Sequence, residues 1–376
     1  MTNSDQTRYC IVSTCGTSIL TNQGSETRNI ITKYAHVKDK AVIENSDREQ
    51  LETLIATVRK ELKETHEIAD LKKLAAEING ITLFYDNKSP NSGDIHFLIS
   101  TDTWLGGEAA SLLEEWLKGK GVTHVGLPKI TDLGAQDLSE FQSGIAELVG
   151  WCHQQLPGYR DSKYKIIFQL NGGFKSIQGV MQSLAPFYSD ETLYIFESGN
   201  ELLRIPRLPV KLDLEEVVKE NFRIFRRLKA GLSVSEEETK TIPQTLIFSI
   251  DKKPILSAWG ELVWNQVGEK LLTEDLFDSP SEKVVYENEF KASVKKFGKD
   301  KLKEINERIT DLACYMEKPD RPNPKRLDLK ELKGNKCLPS THECDAWADG
   351  NASRLFGHRN PNDQSVFILD RLSKHL

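Results

Sequence analysis

The chain has 376 residues and a formal net charge of −6, and 38% of its residues are hydrophobic while 28% are charged. A length of this size exceeds what one hydrophobic core usually fills, so we expect more than one domain. No apolar run reaches the length of a membrane span, which argues against a membrane protein. The scattered cysteines contain no CxxC pair and residues 1–9 show no secretory pattern, so we expect a cytoplasmic protein.

Charge is distributed unevenly along the chain. In residues 291–376 basic residues outnumber acidic ones, whereas acidic residues outnumber basic ones in the rest. A basic module on an acidic body predicts a polyanionic partner for that module. Ordinary surface charge is the alternative that this pattern leaves open.

The first 208 residues alternate strand-like and helix-like segments. Short apolar runs predict strands at 9–13, 95–100, 165–170, 192–196 and 202–208. Helical periodicity covers 47–79 and 108–119, and a further helix is predicted after residue 176. Apolar strands separated by helices predict an α/β domain, with a Rossmann-like parallel sheet between helices on both faces.

Residues 209–282 are less regular and are predicted to form a helical linker and dimerisation region. Its helices are expected at 212–228 and 255–272, on either side of an acidic loop at 231–244. Trp259 and Trp264 in this region are interpreted as core or interface residues.

From residue 283 the pattern changes again. One strand and two helices come first, and strand pairs follow a proline-rich break, at 283–286, 290–297, 301–316, 341–359 and 365–371. This order predicts a small α+β domain over 283–376, with an antiparallel sheet.

Small and polar residues follow three of the N-terminal strands, at 14–18, 100–103 and 171–176. The carboxyl ends of parallel strands share one edge of the sheet, where backbone N–H groups and helix N-termini favour phosphate. The hydroxyl groups of Thr17, Ser18 and Thr103, together with Lys175, suit a nucleotide. No GxGxxG or GxxxxGK[ST] motif is present, which disfavours a dinucleotide or triphosphate. The alternative is that Gly172 and Gly173 only shape a turn.

The segments IVSTCGTSILTN, LNGGFKSIQGVMQ and IFESGNELLRIPRLP resemble the CRISPR-associated Rossmann-fold (CARF) domains over residues 1–208. The resemblance implies a homodimer that binds cyclic oligoadenylate, most often cyclic tetra-adenylate, as an allosteric activator, with no cofactor. The residues that match its ligand loops are Thr14, Gly16, Thr17, Ser18, Asn171, Gly172, Gly173, Phe174 and Lys175.

The basic C-terminal module contains no paired carboxylates at metal-site spacing. Cys337, His342 and Cys344 lack the fourth ligand of a tetrahedral zinc site, so no metal is predicted. Cleavage of RNA by side chains alone needs a base for the 2′-OH, cations for the phosphorane charge and an acid for the 5′-oxygen. The module supplies lysines, arginines and histidines for these tasks, namely Lys330, Lys333, Lys336, Arg354, His358, Arg359, Lys374 and His375.

The same module resembles the RelE/YoeB-type toxins over residues 283–376. The segments that carry the resemblance are VVYENEFKASVKKFGKDKLKEINERI, LDLKELKGN, SRLFGHR and ILDRLSKHL. The resemblance implies a metal-independent endoribonuclease that cuts mRNA in the ribosomal A site. It matches Arg354 to a phosphate-contacting arginine, His375 to an acid–base residue, and Lys333, with Lys330 nearby, to a basic turn.

Two departures from that toxin pattern leave the general base unassigned. The segment ECDAWADGN before Arg354 lacks the basic strand residues of the family, and Leu376 stands where a tyrosine is frequent. Each residue also has a structural alternative: a salt bridge for Arg354, solvated turns for Lys330 and Lys333, and a frayed terminus for His375.

Together these features predict a homodimeric effector of type III CRISPR immunity, similar to the CARF–RelE mRNA interferases. Its expected partners are cyclic oligoadenylate, mRNA and the ribosome, with the middle segment as a relay or a contact for ribosomal stalk proteins; no membrane is involved. In this prediction Arg354, with Lys333 or Arg359, stabilises the charge, and His375 transfers a proton. The alternatives are a ring nuclease, a ligand-regulated nucleic-acid-binding regulator, and a Rossmann oxidoreductase. The last is disfavoured because the glycine fingerprint of that class is absent from the sequence.

Overall fold

A computed structural model describes residues 7–134, 136–196, 201–210, 214–318, 323–333, 338–347 and 352–374. The chain divides into two compact units, Met1–Lys211 and Leu212–Leu376. We refer to them as the N-terminal unit and the C-terminal unit. Each has its own sheet and its own hydrophobic core.

The N-terminal unit is built on a six-stranded sheet with the strand order β3-β2-β1-β4-β5-β6. Its strands are β1 (Arg8–Thr14), β2 (Ile95–Ile99), β3 (His124–Gly126), β4 (Tyr164–Gln169), β5 (Glu191–Ile195) and β6 (Leu202–Pro206). The first five are parallel to their neighbours, and β6 pairs antiparallel with β5. This order is that of the Rossmann fold, and the strand order reverses between β1 and β4. The predicted fold class is confirmed.

Helices cover both faces of this sheet. Adjacent residues of a strand point to opposite sides, so each strand has side chains that pack against both layers of helices. On β2, Leu98 packs in a buried cluster with Leu51 and Leu105, while Phe97 contacts the ring of Trp151 at 5.1 Å. The helices of the unit are α1 (Ser18–Thr21), α2 (Ser25–Lys33), α3 (Asn45–Glu64), α4 (Ile68–Leu74), α5 (Ala76–Phe84), α6 (Trp104–Gly119), α7 (Leu138–Asp161) and α8 (Lys175–Tyr188).

Several details of the N-terminal unit differ from the prediction, among them the antiparallel strand β6 and the helix α7, which was not predicted. The helix expected over 47–79 is interrupted, because Thr65, Glu67 and Ala75 have extended backbone angles that separate α3, α4 and α5. Strand β3 was absent from the prediction, since a three-residue strand without an apolar run gives no periodic signal.

The C-terminal unit contains a five-stranded sheet with the order β10-β11-β12-β13-β9. These strands are β9 (Val284–Tyr286), β10 (Lys330–Glu331), β11 (His342–Trp347), β12 (Ser353–Asn360) and β13 (Asp363–Lys374). The sheet is not wholly antiparallel as predicted, because β9 pairs parallel with β13. Two helices follow β9 in the chain, so β9 is not bound to the hairpin geometry that makes β11, β12 and β13 antiparallel.

Among the described residues of this unit, the remaining α-helices and β-strands are six α-helices and one hairpin. The helices are α9 (Glu215–Glu220), α10 (Phe222–Lys229), α11 (Ala258–Val263), α12 (Glu269–Leu271), α13 (Asn288–Val294) and α14 (Leu302–Glu317), and a π-helical turn at Trp264–Gly268 joins α11 to α12. The helix predicted over 212–228 breaks at Asn221, whose side-chain amide donates to the Val217 carbonyl at 2.9 Å.

The hairpin of strands β7 (Ile247–Ile250) and β8 (Lys253–Leu256) was not predicted, and only its last two residues fall within the helix expected over 255–272. Its two turn residues, Asp251 and Lys252, both have positive φ, at 48° and 62°. This is the requirement of a type I′ turn, which Asn-Gly usually meets. The Asp-Lys pair therefore concealed the hairpin from sequence reasoning.

The segment before β9 is held against α14 by buried polar contacts. Arg226, only 2% exposed, donates to the carbonyls of Asp278 and Asn306 at 2.7 and 2.9 Å and to the Thr310 hydroxyl at 2.7 Å. Asn306, fully buried, donates in turn to the carbonyls of Leu272 and Asp275. Residues 214–282 therefore pack within the compact C-terminal unit.

None of the helices in the described part of the chain is long and apolar enough to cross a membrane. The described cysteines, Cys10, Cys15, Cys152, Cys314 and Cys344, form no disulfide with one another.

Candidate functional site

The loops that follow β1 and β4 meet at the point where the strand order reverses. The Thr14 hydroxyl donates to the Gly172 carbonyl at 2.6 Å. A Cβ at Gly16 would lie 2.8 Å from the Gly173 nitrogen, which is closer than packed atoms allow, and Gly173 itself has a φ of 89°. The two loops therefore interlock through glycine backbone at the edge where open α/β sheets bind ligands.

A buried carboxylate that the sequence analysis did not single out holds the first of these loops. Glu77 on α5 is 0% exposed, and its side chain accepts hydrogen bonds from the Gly16 N–H at 2.7 Å and from the Ser18 hydroxyl at 2.6 Å. Burial raises the pKa of Glu77, and the hydrogen bonds from Gly16 and Ser18 oppose that rise. Gly16 and Ser18 thus direct these donors into the protein rather than toward a ligand.

The second loop is fixed by its own polar side chains. The Asn171 side-chain oxygen accepts from the Ile195 N–H at 2.6 Å, and Gln178 donates to the Gly172 carbonyl at 2.8 Å. Phe174 precedes α8 and gives no side-chain cap to that helix, and the exposed Lys175 is its first residue. The first N–H groups of a 14-residue helix, beside a lysine, provide a favourable place for an anion.

Thr103 and Thr17, the other two candidate hydroxyl groups, have different surroundings. Thr103 caps α6, where its hydroxyl accepts from the Gly106 N–H at 3.2 Å and lies 2.9 Å from the Thr101 hydroxyl. Thr17 is half-buried, and among the described residues its hydroxyl has no hydrogen-bond partner. Thr17, Lys175 and the start of α8 are therefore the groups left available for a ligand.

A cavity of about 430 Å³ lies beside Thr103, at the carboxyl ends of β2 and β3. Its walls combine threonine hydroxyls with apolar side chains and one lysine: Ser100, Thr101, Asp102, Thr103, Gly107, Ala110, Leu127, Pro128, Lys129, Ile130 and Thr131. The predicted ligand edge thus contains a pocket as well as phosphate-favouring backbone.

In the C-terminal unit, Arg354 lies opposite Asp345 on the neighbouring strand and forms an ion pair with it. Both side chains are mostly buried, with 14% and 18% exposure. Arg354 therefore forms the structural salt bridge that was its alternative role. Arg354 would have to exchange this carboxylate for a phosphate in order to act on RNA.

The other cationic candidates are dispersed around the same sheet. Lys330 on β10 pairs with Asp328 at 2.5 Å and with Glu343 at 3.9 Å. Lys333 is exposed, and Arg359 donates to the Gln364 carbonyl at 2.7 Å near the β12–β13 turn. His375 lies outside the described residues, as do Lys336 and Cys337, so their roles stay predictions.

Two further side chains of this sheet have partners that bear on a site: His358, which was named only as a basic residue of the module, and Arg371, which was given no role. His358 on β12 has its Nδ1 2.9 Å from the Asp370 carboxylate. Arg371 lies with its guanidinium 5.6 Å from the centre of the Phe356 ring, and it forms no ion pair with any residue that the structure describes. Sequence reasoning passed over Arg371 because it is one cation among many in a basic module.

The cysteines and histidines considered for zinc do not gather within the described ranges. Cys344 is 1% exposed and packs in the core cluster of the unit, while His342 contacts the ring of Phe367. In the parts of the chain that the structure describes, no group of three or more His, Cys, Asp or Glu is arranged to hold a metal ion.

Residues 72–208 match a protein-family model described as "CRISPR-associated protein (Cas_APE2256)". The match supports a CRISPR-associated protein. It covers the part of the N-terminal unit from the end of α4 to β6, and so includes Glu77, the loop after β4 and the pocket beside Thr103. No curated protein matches the chain.

Proposed function

We propose that this chain is an ancillary effector of type III CRISPR immunity, in which cyclic oligoadenylate activates cleavage of mRNA on the ribosome. The observation that carries the proposal is the pair of interlocked loops at the point where the strand order of a Rossmann-type sheet reverses; the second of these loops lies in the region that matches a CRISPR-associated family. That edge suits a phosphate-bearing ligand. The resemblance to CARF domains supplies the identity of the ligand, cyclic tetra-adenylate, and its location on the two-fold axis of a homodimer.

Ligand recognition in this proposal uses the donors that the fold leaves available. Lys175 and the uncapped start of α8 meet a phosphate, and Thr17 meets a ribose or phosphate oxygen. Thr14, Gly16 and Ser18 act indirectly, since their polar groups bond to Gly172 and Glu77. The cavity beside Thr103 is an accessory space at the same edge.

The cleavage chemistry in this proposal is transesterification by side chains. The 2′-oxygen attacks the adjacent phosphorus while its proton passes to a base, the bond from phosphorus to the 5′-oxygen breaks, and an acid protonates that oxygen. The products are a 2′,3′-cyclic phosphate and a 5′-hydroxyl. Arg354, with Lys333 or Arg359, neutralises the phosphorane charge, and His375 transfers a proton.

Cell-free translation with and without cyclic tetra-adenylate, followed by mapping of mRNA ends, tests this function. We expect activator-dependent cuts within translated codons and loss of those cuts in Arg354→Gln. Arg223→Gln is the matched control, because Arg223 is an exposed arginine of the same unit that pairs with Glu282 at 3.1 Å. Absence of cuts in the wild type would refute the proposal. Shortening of cyclic tetra-adenylate without mRNA cleavage would instead identify a ring nuclease.

A further inference from the structure

We propose that His358 is the general base of the C-terminal unit and that a β-bulge at Asp370 builds its site. This inference rests on the proposed cleavage of RNA and supplies the base that the resemblance leaves unassigned. Its chemistry is the removal of the proton from the attacking 2′-hydroxyl of the RNA. The site consists of His358, Asp370, Ser340 and Arg371, and we call it the bulge site.

The bulge follows from the pairing of β12 with β13. Phe356 pairs with Arg371 and Gly357 with Leu369, so Asp370 has no opposite residue. An extra residue of this kind redirects side chains, which is why bulges occur beside functional sites. Here it allows Asp370 and Arg371, although adjacent in sequence, to contact His358 and Phe356, two residues of β12 that share a face.

Asp370 fixes the orientation of the His358 ring. The carboxylate is 4% exposed, and its Oδ2 accepts from the Ser340 hydroxyl at 2.7 Å and lies 2.9 Å from Nδ1 of His358. A carboxylate can only accept, so Nδ1 is assigned the hydrogen and Nε2 keeps a lone pair. No described residue makes a hydrogen bond to Nε2, and the side chain retains 17% exposure. A buried carboxylate behind an imidazole also stabilises the imidazolium that forms when Nε2 takes a proton.

Arg371 provides the cation that such a site requires. Its guanidinium lies over the Phe356 ring without a carboxylate partner among the described residues, whereas Arg354 is paired with Asp345. Arg354 is also four residues from His358 on the same strand, about 13 Å at the usual rise of a strand. A phosphate beside His358 is therefore closer to Arg371. On this assignment Arg371 neutralises the phosphorane charge in place of Arg354, which contacts the RNA farther along the strand.

The protons and bonds of this cleavage step are fully accounted for by these side chains and water. His358 Nε2 takes the proton of the 2′-hydroxyl as the bond from the 2′-oxygen to phosphorus forms. The bond from phosphorus to the 5′-oxygen breaks, that oxygen receives a proton from water, and the imidazolium later releases its proton to solvent. Asp370 and Ser340 are positioning residues, because they act on the RNA only through the ring of His358.

Single-turnover cleavage of mRNA in purified ribosome complexes, with saturating cyclic tetra-adenylate and across the range from acidic to neutral pH, tests this assignment. General-base catalysis requires the unprotonated form of the base, so the wild-type rate should fall toward acidic pH. His358→Gln should slow cleavage by about 10²–10⁴-fold and remove that acidic limb. Asp370→Asn should slow cleavage but keep the fall in rate at acidic pH, because His358 is still present as the base. The titratable and charged groups nearest to His358 on the paired strands are His342, Glu343, Asp370 and Arg371, with Arg359 beside it on β12, and they remain in His358→Gln.

Hydrogen–deuterium exchange of β12 and β13 checks that each variant keeps its fold, and added imidazole should restore activity to His358→Ala. If the wild type cleaves and His358→Gln keeps both its rate and its acidic limb, the bulge site is not catalytic and the proposed function stands. If the wild type does not cleave, both proposals fall.

Discussion

Replacing Glu77 by alanine should loosen the loop after β1, whereas replacing it by glutamine should leave that loop in place. Alanine leaves the Gly16 N–H and the Ser18 hydroxyl without their acceptor at a fully buried position. An unsatisfied buried donor costs about 1–3 kcal/mol, and Gly16 and Ser18 are themselves only half-buried, so we expect alanine to lower the free energy of unfolding of the N-terminal unit by about 2–4 kcal/mol. Glutamine keeps one oxygen for Gly16 and lets the Ser18 hydroxyl rotate to accept, which predicts a change below about 1 kcal/mol.

Glutamine should also remove a pH dependence of stability. Burial raises the pKa of Glu77 above its ordinary value of 4.5, so the folded chain holds this proton more tightly than the unfolded chain. The resulting stability is complete below pH 4.5 and is lost as the pH rises through the folded-state pKa. We therefore expect stability to decline with rising pH in the wild type and to decline less in Glu77→Gln.

Hydrogen–deuterium exchange of peptides that cover β1 and the loop at 14–18 measures this stability locally. Glu64→Ala is the matched control, because Glu64 is an exposed carboxylate at the end of α3. Affinity for cyclic tetra-adenylate, measured by calorimetry, should fall with loop protection in Glu77→Ala and hold in Glu77→Gln. Equal loop protection in Glu77→Ala and Glu64→Ala would show that the carboxylate does not hold the loop.

Three further predictions concern backbone geometry and buried charge. Gly16→Ala should cost about 1–3 kcal/mol and weaken activator binding, since its Cβ would collide with Gly173, whereas Gly179→Ala in open space should be neutral or slightly stabilising; thermal unfolding distinguishes them. Arg226→Met should destabilise the C-terminal unit by about 3 kcal/mol or more in urea titrations, because the partners of Arg226 lose their donor, while Arg223→Met should change little. Lys252→Gly should stabilise the hairpin by about 0.5–1 kcal/mol, because glycine adopts positive φ without strain. An unchanged or lower midpoint of the unfolding transition of the C-terminal unit would contradict this.

Apart from β3, the strands of the N-terminal unit were predictable because short apolar runs end in small residues, as at Thr14 and Asn171. Their convergence followed from the rule for parallel sheets. Glu77 was not predictable, since a glutamate within a helical pattern ordinarily lies on the surface. Only the tertiary packing of α5 beneath the loop shows that it is buried and that it takes the donors of Gly16 and Ser18.

The C-terminal site shows where alternation fails as a guide. Alternation along β13 would put Asp370 and Arg371 on opposite faces of the sheet, but the bulge shifts the register between them. His358 was named as a basic residue of the module, yet its partner could not be deduced without that shift. Arg354 was identified by resemblance, while its ion pair with Asp345 depends on a cross-strand register that the intervening segment conceals.

The buried contacts of Arg226 and Asn306 determine where the C-terminal unit can be cut. A fragment that begins at residue 283, where the toxin-like pattern starts, would lose α10 together with the carbonyls of Leu272 and Asp275 to which Asn306 donates. It would also expose the face of α14 that now faces Arg226. The smallest piece with an intact interior therefore begins near residue 214, and a fragment made to test the proposed cleavage without an activator should retain that segment.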